Sequence, residues 1–206
     1  MSKPEIPPAS TDLPQRSHNR GLMIVILVIT VIPVIAAWGI YKWSAANGGL
    51  PQSNYGELVT PPKPVPPSSL LDARGQPLPA DVLSGHWSLI YLGGPTCDAA
   101  CAKQVFEVRN FLALIKHTSR LRVFYLAPDE AGLEAARVAI EKFGKPPILI
   151  REAEGQPELR GFFGRPQGSM LMIDPRRDWM LTYPPGFSVE GAYRDLRHLL
   201  RYSQLG

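Results

Sequence analysis

The sequence lacks the basic runs and the internal repeats that mark many nucleic-acid-binding and repeat proteins. None of its 22 lysine and arginine residues falls in a run of five or more, and the formal net charge of its 206 residues is only +4. Without a concentrated basic patch, the sequence predicts no nucleic-acid partner. The length and the lack of repeats together indicate one ordinary globular domain with appendages.

Cysteine is scarce. The chain has two, Cys97 and Cys101, which stand four positions apart in the stretch GGPTCDAAC. This spacing suits a metal clip, a redox pair or a structural disulfide. A disulfide that closes so short a loop contributes only about 2 kcal/mol in the chain-entropy view, and a domain of this size does not need it. A redox-active or metal-binding pair is therefore favoured over an inert one.

Charge is missing from one long stretch, the 21 residues GLMIVILVITVIPVIAAWGIY at 21–41. As a helix this stretch is roughly 31 Å long, which is enough to cross the hydrocarbon core of a bilayer. Trp38, Tyr41 and Trp43 at its far end are typical of an interfacial aromatic belt. A cleaved signal peptide is the alternative, but its apolar core is usually only about 7–15 residues long. We therefore predict a transmembrane helix over 21–43.

The charges that flank this helix predict its orientation. Lys3, Arg16 and Arg20 precede it, whereas Lys42 alone follows it closely. By the positive-inside rule, the tail 1–20 stays in the cytoplasm and the C-terminal part is exported. We therefore predict a single-pass protein of the inner (cytoplasmic) membrane with its C-terminal domain in the periplasm, a compartment that permits disulfides.

Proline and glycine are concentrated in residues 44–69, directly after the apolar stretch. Six prolines and the pair Gly48-Gly49 lie there, and no apolar periodicity is visible. The part TPPKPVPPSS predicts a polyproline-like, semi-rigid spacer. We therefore predict that residues 44–69 form a linker and that residues 70–206 form the folded domain.

The remaining residues alternate between strand-like and helix-like patterns. Short β-rich runs occur at SLIYLGG, LRVFYLAP, PILIRE, SMLMIDP and WMLTYP. Amphipathic helices are predicted from Cys101 onward, from about Asp129 to Phe143 with Asp129 as N-cap, and over roughly 189–203. This order predicts an α/β fold, in which helices flank a mostly parallel sheet with an antiparallel edge. The two cysteines fall at the turn between the first core strand and its helix.

This order resembles that of the thioredoxin-like fold, and more narrowly that of the Sco/SenC family of membrane-anchored proteins that serve cytochrome c oxidase assembly. The segments that carry the resemblance are LLDARGQPLPADVLSGHWSLIYLGGPTCDAAC, RVFYLAPDEAG and MLMIDPRRDWMLTY, and it extends from about Leu70 to the C-terminus. The resemblance implies that Cys97 and Cys101 bind copper(I) or act as redox thiols. It also implies a cytochrome oxidase subunit or a copper-delivery protein as partner.

The sequence departs from the family pattern at three positions. Family members follow each cysteine with proline, where this chain has Asp98 and Ala102. They also carry a copper-ligating histidine eight residues before the aspartate of a late strand, and counting back from Asp174 leads to Pro166. The cofactor expected is therefore copper(I) without the histidine ligand, or none. The thioredoxin-like resemblance instead implies that Pro166 faces the cysteines, after a cis peptide bond.

The start of the predicted helix bears on the reactivity of the two thiols. A helix N-terminus at Cys97 favours the thiolate through its dipole and its free N–H groups, whereas the charge of Asp98 opposes it. Cys101 continues the apolar stripe of the helix. We therefore expect Cys97 to be the exposed attacking thiol and Cys101 its buried partner.

Three functions remain open at this point. The first is a Sco-like factor for assembly of a haem-copper oxidase, which uses the CxxxC pair as a copper(I) chaperone or as a thiol reductant. The second is an enzyme, a thiol–disulfide oxidoreductase of the exported compartment. The third is a redox-silent assembly or interaction protein. The resemblance, rather than the cysteine spacing alone, favours the first.

Overall fold

The computed structural model describes residues 17–46, 54–114, 120–144, 146–155 and 159–202. The chain divides into two units, Met1–Gln52 and Ser53–Gly206. The first unit contains helix α1, and the second contains a β-sheet with its helices.

Helix α1 covers Ser17–Ala46, with Pro33 inside it. Its segment Arg20–Ser44 has 25 residues and a mean hydropathy of 2.8, so it is long and apolar enough to cross a membrane. A helix suits such a sequence because it satisfies the backbone hydrogen-bonding groups within the segment. The prediction of one N-terminal apolar helix that can span a membrane is confirmed.

The second unit has seven strands and four helices in the part that the structure describes. The strands are β1 Glu57–Pro64, β2 Leu70–Asp72, β3 Trp87–Leu92, β4 Leu121–Ala127, β5 Ile148–Glu152, β6 Met170–Ile173 and β7 Asp178–Tyr183. The helices are α2 Ala99–Ala113, α3 Glu130–Glu141, α4 Leu159–Phe163 and α5 Val189–Tyr202. All five predicted strands and all three predicted helices of the domain are present.

The strands form one sheet in the order β1-β7-β6-β3-β4-β5-β2. The pairs β3–β4 and β4–β5 are parallel, and the other four pairs of neighbours are antiparallel. The predicted α/β sheet with flanking helices is confirmed, but the expectation that it is mostly parallel is wrong. One reason is that only residues 174–177 connect β6 to β7, and so short a connection joins antiparallel strands.

The two faces of the sheet are covered differently. Helices α2, α3 and α5 pack on one face, in a core that includes Val105, Ile140 and Leu196. The short helix α4 and segment 65–83 cover the other face. Strand β3 lies in the middle of the sheet and is buried at every position, which explains its nearly continuous apolar sequence.

The polyproline-like spacer predicted within 44–69 is wrong for Glu57–Pro64, because these residues form strand β1, paired with β7 at the edge of the sheet. Prolines are tolerated at an edge, where one side of the strand donates no ladder hydrogen bonds. The register shifts between Leu58 and Lys63, and the Thr60–Pro61 bond in that interval is cis. The rest of the division into tail, membrane helix, linker and domain stays a prediction.

A buried carboxylate fixes the point at which the chain enters the sheet unit. One oxygen of Asp195, on α5, accepts hydrogen bonds from the backbone N–H groups of Tyr55 and Gly56, both at 2.9 Å, and from the Tyr183 hydroxyl at 3.0 Å. Gly191 lies so close to the Tyr55 ring that a Cβ there would overlap it. The entering segment is therefore held against α5 and β7 before β1 begins.

Candidate functional site

The loop that follows β3 brings the two predicted cysteines together at the start of α2. Cys97 precedes the helix, Cys101 lies in its first turn, and the two form a disulfide with their Cα atoms 5.3 Å apart. Both side chains are half-buried and pack against the core beneath α2, α3 and α5. Their catalytic and metal-binding roles stay predictions.

Asp98, which lies between the cysteines, caps helix α2. Its Oδ1 accepts a hydrogen bond from the Cys101 N–H at 2.8 Å, and its carbonyl oxygen accepts one from the Ala102 N–H at 2.9 Å. Aspartate is a favoured capping residue because it satisfies N–H groups that the first turn of a helix leaves free. The cap occupies the Cys101 N–H, which is therefore not available to stabilise a thiolate.

The Gly93-Gly94 pair before the cysteines is required by close packing. A Cβ at Gly93 would overlap the ring of Tyr125, and a Cβ at Gly94 would lie 2.6 Å from Oε1 of Gln167. Gly132, in α3, approaches the same place, because a Cβ there would lie 2.9 Å from the Gly94 carbonyl oxygen. Three segments that are distant in the sequence thus enclose the start of the cysteine loop.

Arg160, on α4, joins the ends of strands β3 and β4. Its Nη2 donates to the Gly93 carbonyl at 2.7 Å, and its Nη1 donates to the Leu126 carbonyl at 2.8 Å. The Leu126 carbonyl also accepts from the Gly93 N–H at 2.9 Å. Burial lowers the pKa of Arg160, while the nearby Glu152 acts in the opposite direction. The guanidinium stays charged at neutral pH.

Two stacked tyrosines lie under the loop. The ring centroids of Tyr91 and Tyr125 are 5.7 Å apart, and the Tyr91 hydroxyl donates to Oε1 of Gln104 at 3.2 Å. Burial, with a smaller contribution from Asp98, raises the pKa of Tyr91. Burial, followed by the neighbouring Tyr91, raises the pKa of Tyr125 to about 12. Both phenols are therefore neutral at physiological pH and pack as uncharged rings.

An open groove of about 360 Å³ lies beside Cys101, and its walls include Thr96, Asp98, Gln104 and Gln167. The expectation of an exposed Cys97 and a buried Cys101 is wrong, because both side chains are half-buried and Cys101 lines this groove.

The apolar stripe of α2 begins one residue later than predicted, which explains this error. Ala102, Val105 and Val108 carry the stripe, and each is at most 3% exposed. Cys101 therefore lies at the margin of the buried face of the helix.

The peptide bond before Pro166 differs from the prediction. The Arg165–Pro166 bond is trans, so the expected cis bond is wrong, and Pro166 is exposed. The groove is lined instead by the next two residues, Gln167 and Gly168. Gly168 has a φ of +84°, and its N–H donates to the Leu92 carbonyl at 2.7 Å. The turn thus brings Gly168, rather than the proline, to the end of β3.

The site has few groups that can bind a metal. Among the residues that the structure describes, no group of three or more histidine, cysteine, aspartate or glutamate side chains is placed to hold an ion. His86 lies at the other end of β3, with Nδ1 3.1 Å from the Ser84 carbonyl oxygen. His117 lies outside the described residues. The described part of the chain therefore does not fit a resident copper centre with three such ligands.

No sequence pattern singled out Arg160, Tyr125 or Gln167 around the loop. The glycine pair was a usable signal, because glycine often marks a close approach of other groups to the backbone. Arg160 had no such signal, because its partners are backbone carbonyls 34 and 67 positions away.

Comparison with known proteins gives a family and a set of structural neighbours. Residues 87–203, more than half of the chain, match the family described as "Transmembrane-like, thioredoxin-like, C-terminal domain". No curated protein matches the sequence.

Three solved structures illustrate the likeness. Apo Sco1 of Thermus thermophilus is 18% identical, with a TM-score of 0.55, and the match covers 73% of this chain and 99% of that one. Copper-bound yeast Sco1 is 13% identical, with a TM-score of 0.55 and coverages of 69% and 91%. A secreted Mycobacterium tuberculosis disulfide oxidoreductase, homologous to E. coli DsbE, is 13% identical, with a TM-score of 0.51 and coverages of 65% and 96%. The predicted thioredoxin-like fold is confirmed.

Proposed function

Because the chain belongs to the family of transmembrane-like, thioredoxin-like C-terminal domains, we propose that it is a membrane-anchored, Sco-like protein that exchanges thiols and disulfides with a partner. The observation that carries the proposal is the Cys97–Cys101 disulfide beside an open groove at the start of α2. Exchange requires that a thiolate reach a disulfide sulfur. A half-buried pair whose second cysteine lines a groove meets that requirement.

The exchange has two steps in the direction that reduces a partner. A thiolate of the reduced pair attacks one sulfur of the partner's disulfide, so that a mixed disulfide forms and one partner thiolate leaves. The other cysteine then attacks the mixed disulfide, the Cys97–Cys101 bond forms, and the second partner thiolate leaves. Two electrons pass to the partner, whose thiolates take up protons from water. A dithiol protein of the same compartment returns the pair to its reduced state.

The groove residues suit a polypeptide partner. The side-chain amide of Gln167 offers a donor and an acceptor, as a peptide backbone does, while that of Gln104 already bonds to the Tyr91 hydroxyl and the Phe187 carbonyl and adds a fixed polar wall. Asp98 caps the helix that carries Cys101 and keeps its thiol at the groove wall. These residues bind and orient the partner segment, and the two sulfurs perform the chemistry.

We further propose that the partner is the copper-site cysteine pair of a haem-copper oxidase subunit, on the exported side of the membrane. The support is the likeness of the fold to Sco1 proteins, together with an N-terminal helix that is long and apolar enough for an anchor. The charges around that helix favour a cytoplasmic N-terminus and a periplasmic domain. A reductant in an oxidising compartment keeps such cysteines able to accept metal.

Copper(I) carriage is a second candidate function. It is favoured by the copper-bound structures of yeast Sco1 and Arabidopsis ScoI, both of which share the fold. Reduction of the pair would release two thiolates, which prefer Cu(I) to harder ions. Since no third histidine, cysteine, aspartate or glutamate among the described residues joins the pair, we expect the reduced protein to take Cu(I) as cargo and to hold Cu(II) poorly.

The test of thiol exchange uses the full-length protein in detergent. The reduced protein is mixed with a peptide that contains a CxxxC disulfide, and mass spectrometry follows the products. We expect the wild type to reduce the peptide and become oxidised at Cys97–Cys101. One of the variants Cys97→Ser and Cys101→Ser should accumulate the mixed disulfide, which identifies the attacking cysteine. The matched control, Ala99→Ser in the same exposed turn, should behave as the wild type.

Two results would contradict the proposal. One is a wild-type protein that leaves the peptide disulfide intact, and the other is a single-cysteine variant that completes the exchange. The same variants test copper carriage under anaerobic titration. Cu(I) retained by the wild type but lost in both variants supports it. Stable Cu(II) with histidine ligation would show that the reduced pair is not the copper site.

A further inference from the structure

Arg160 lies at the point from which the cysteine loop leaves the sheet. Its guanidinium spans the two neighbouring strand ends, with one N–H donated to the Gly93 carbonyl and another to the Leu126 carbonyl. The planar fork of arginine suits two acceptors at once, a geometry that the single ammonium of lysine does not reproduce. Arg160 therefore ties the end of β3 to the end of β4 at the start of the loop.

The loop has a second fixed point at its other end, where Asp98 caps α2. Between the two lie Gly94, Pro95, Thr96 and Cys97. Cys97 therefore belongs to a short segment whose start is held by Arg160 and whose end is held by the helix cap. Cys101 is fixed separately, because it lies in the helix.

Partial burial of the charged Arg160 side chain is unfavourable. The side chain is half-buried, and desolvation lowers its pKa. Its hydrogen-bond acceptors are main-chain carbonyls at 2.7 and 2.8 Å, and the carboxylates of Glu152 and Asp129 favour its charged form. A cation used in this way fixes the positions of the groups that it bridges.

We propose that Arg160 is a positioning residue for the Cys97–Cys101 pair, one that holds the start of the loop so that the two sulfurs lie within bonding distance. The inference rests on the proposed thiol exchange by this pair. Without the two hydrogen bonds that Arg160 donates to the Gly93 and Leu126 carbonyls, the loop samples more conformations. The effective concentration of one thiol at the other then falls. The disulfide then closes less readily, and the pair becomes a stronger oxidant.

The experiment measures disulfide closure in the full-length protein in detergent. Wild type, Arg160→Met and Arg160→Lys are equilibrated with glutathione buffers of graded ratio, and the oxidised fraction is read by mass after alkylation. The closure constant is the equilibrium constant for formation of the Cys97–Cys101 disulfide from the reduced pair and glutathione disulfide. For Arg160→Met we expect this constant to fall about tenfold, which corresponds to a rise of about 30 mV in the two-electron reduction potential of the pair. Arg160→Lys should lie between this variant and the wild type.

The matched control is Arg137→Met. Arg137 lies on α3, where it pairs with Glu134 and Glu141 at the surface. We expect its closure constant to equal that of the wild type. Circular dichroism of each reduced variant shows whether it is folded, so a change in closure is separated from a loss of the fold.

A folded Arg160→Met variant with the closure constant of the wild type would overturn the inference. If that variant does not fold, Arg160→Lys decides, and an unchanged constant in the folded lysine variant overturns it equally. Failure of this inference can be distinguished from failure of the proposed function. A wild type that reduces no partner disulfide, but whose closure constant depends on Arg160, refutes the proposed function and leaves this inference standing.

Discussion

The two ends of the central strand β3 (Trp87–Leu92) are built in different ways. At the amino end, His86 lies near the Ser84 carbonyl oxygen and, through Nε2, 3.4 Å from a guanidinium nitrogen of Arg122. Gly85 adopts a φ of +73°, and a Cβ there would meet nothing within 4 Å. The Gly85 N–H donates to the Pro175 carbonyl at 2.9 Å, so the backbone is held here while the space beside Gly85 is open.

At the carboxyl end there is no such room. Gly93 is enclosed by the Tyr125 ring and its carbonyl is held by Arg160, while Gln167 and Gly132 lie against Gly94. The enclosing residues come from β4, α3, α4 and the turn before β6. In α/β sheets, sites form at the carboxyl ends of the parallel strands. Both ends have long-range hydrogen bonds, but side-chain space is closed at the glycines of the end that carries the cysteine pair and open at Gly85.

The sharpest test of this comparison exchanges one glycine at each end for alanine. At Gly93 the added Cβ overlaps the Tyr125 ring, and overpacking of this kind costs about 1–3 kcal/mol. At Gly85 the space is open, and only the positive φ costs about 1 kcal/mol. We expect a decrease of about 3 kcal/mol in the free energy of unfolding for Gly93→Ala and about 1 kcal/mol for Gly85→Ala.

Denaturant titration of the full-length protein in detergent, followed by circular dichroism, measures both values. Gly93→Ala should also slow thiol exchange, whereas Gly85→Ala should leave it unchanged. Equal losses of stability at the two positions would refute the comparison.

The next test uses alkaline pH. Because burial raises the pKa of Tyr125 to about 12, from an ordinary value of about 10, the phenol ionises first in the unfolded state. Its contribution to stability is therefore fully present below pH 10 and is lost as the pH rises toward 12. Tyr125→Phe removes this dependence. Between pH 9 and pH 12, we expect the unfolding free energy of the wild type to fall by about 2 kcal/mol more than that of Tyr125→Phe.

The measurement is a series of unfolding curves of wild type and Tyr125→Phe across that pH range. Between pH 7 and pH 9 the difference between the two proteins should be constant, which serves as the internal control. Parallel pH profiles up to pH 12 would mean that Tyr125 ionises as freely in the folded protein as in water.

A smaller effect separates two roles of Asp98, which caps helix α2 and places a negative charge beside the thiols. Asp98→Ala removes the cap of α2 and should lower the unfolding free energy by about 1 kcal/mol. Asp98→Asn keeps a capping oxygen, so its stability should stay within a few tenths of a kcal/mol of the wild type. Both variants remove a negative charge beside the thiols, and both should therefore react faster with iodoacetamide when reduced. If only Asp98→Ala reacts faster, the charge plays no part and fraying of the helix explains the change.

The smallest effect is expected at the amino end. His86→Gln keeps a polar group near Ser84 and Arg122, at a half-buried position. We expect a change of no more than about 0.5 kcal/mol in unfolding free energy, as for surface sites generally. The disulfide closure constant should not change. A tenfold change in that constant would show that the two ends of β3 are coupled and would defeat the comparison.

Local patterns in the sequence predicted the elements that local forces determine. The apolar run of β3 and the periodicity of α2 were readable, and so was the cap of α3. The Asp129 carboxylate accepts from the Gly132 N–H at 2.7 Å, as its position before the helix predicted. These features depend on residues only a few positions apart, so they can be recognised in a single sequence.

The missed features depend on pairings between distant residues. Strand β1 contains three prolines and has no apolar alternation, so only its pairing with β7 makes it a strand. The expected cis bond before Pro166 is absent, and a turn with Gly168 at positive φ sets which backbone group meets β3. The hydrogen bonds of Arg160 join its side chain to backbone carbonyls in two other segments. No periodicity or spacing encodes such contacts.

The buried Asp195 has a mechanical consequence. A pull on the chain at residue 54 acts first on the hydrogen bonds that join Tyr55 and Gly56 to this carboxylate, and then on the ladder between β1 and β7. Strands β7 and β6 stand between that edge and β3 in the sheet. Tension that enters from the amino-terminal side is therefore borne first by α5 and the strand pair β1–β7, two strands away from the cysteine loop at the end of β3.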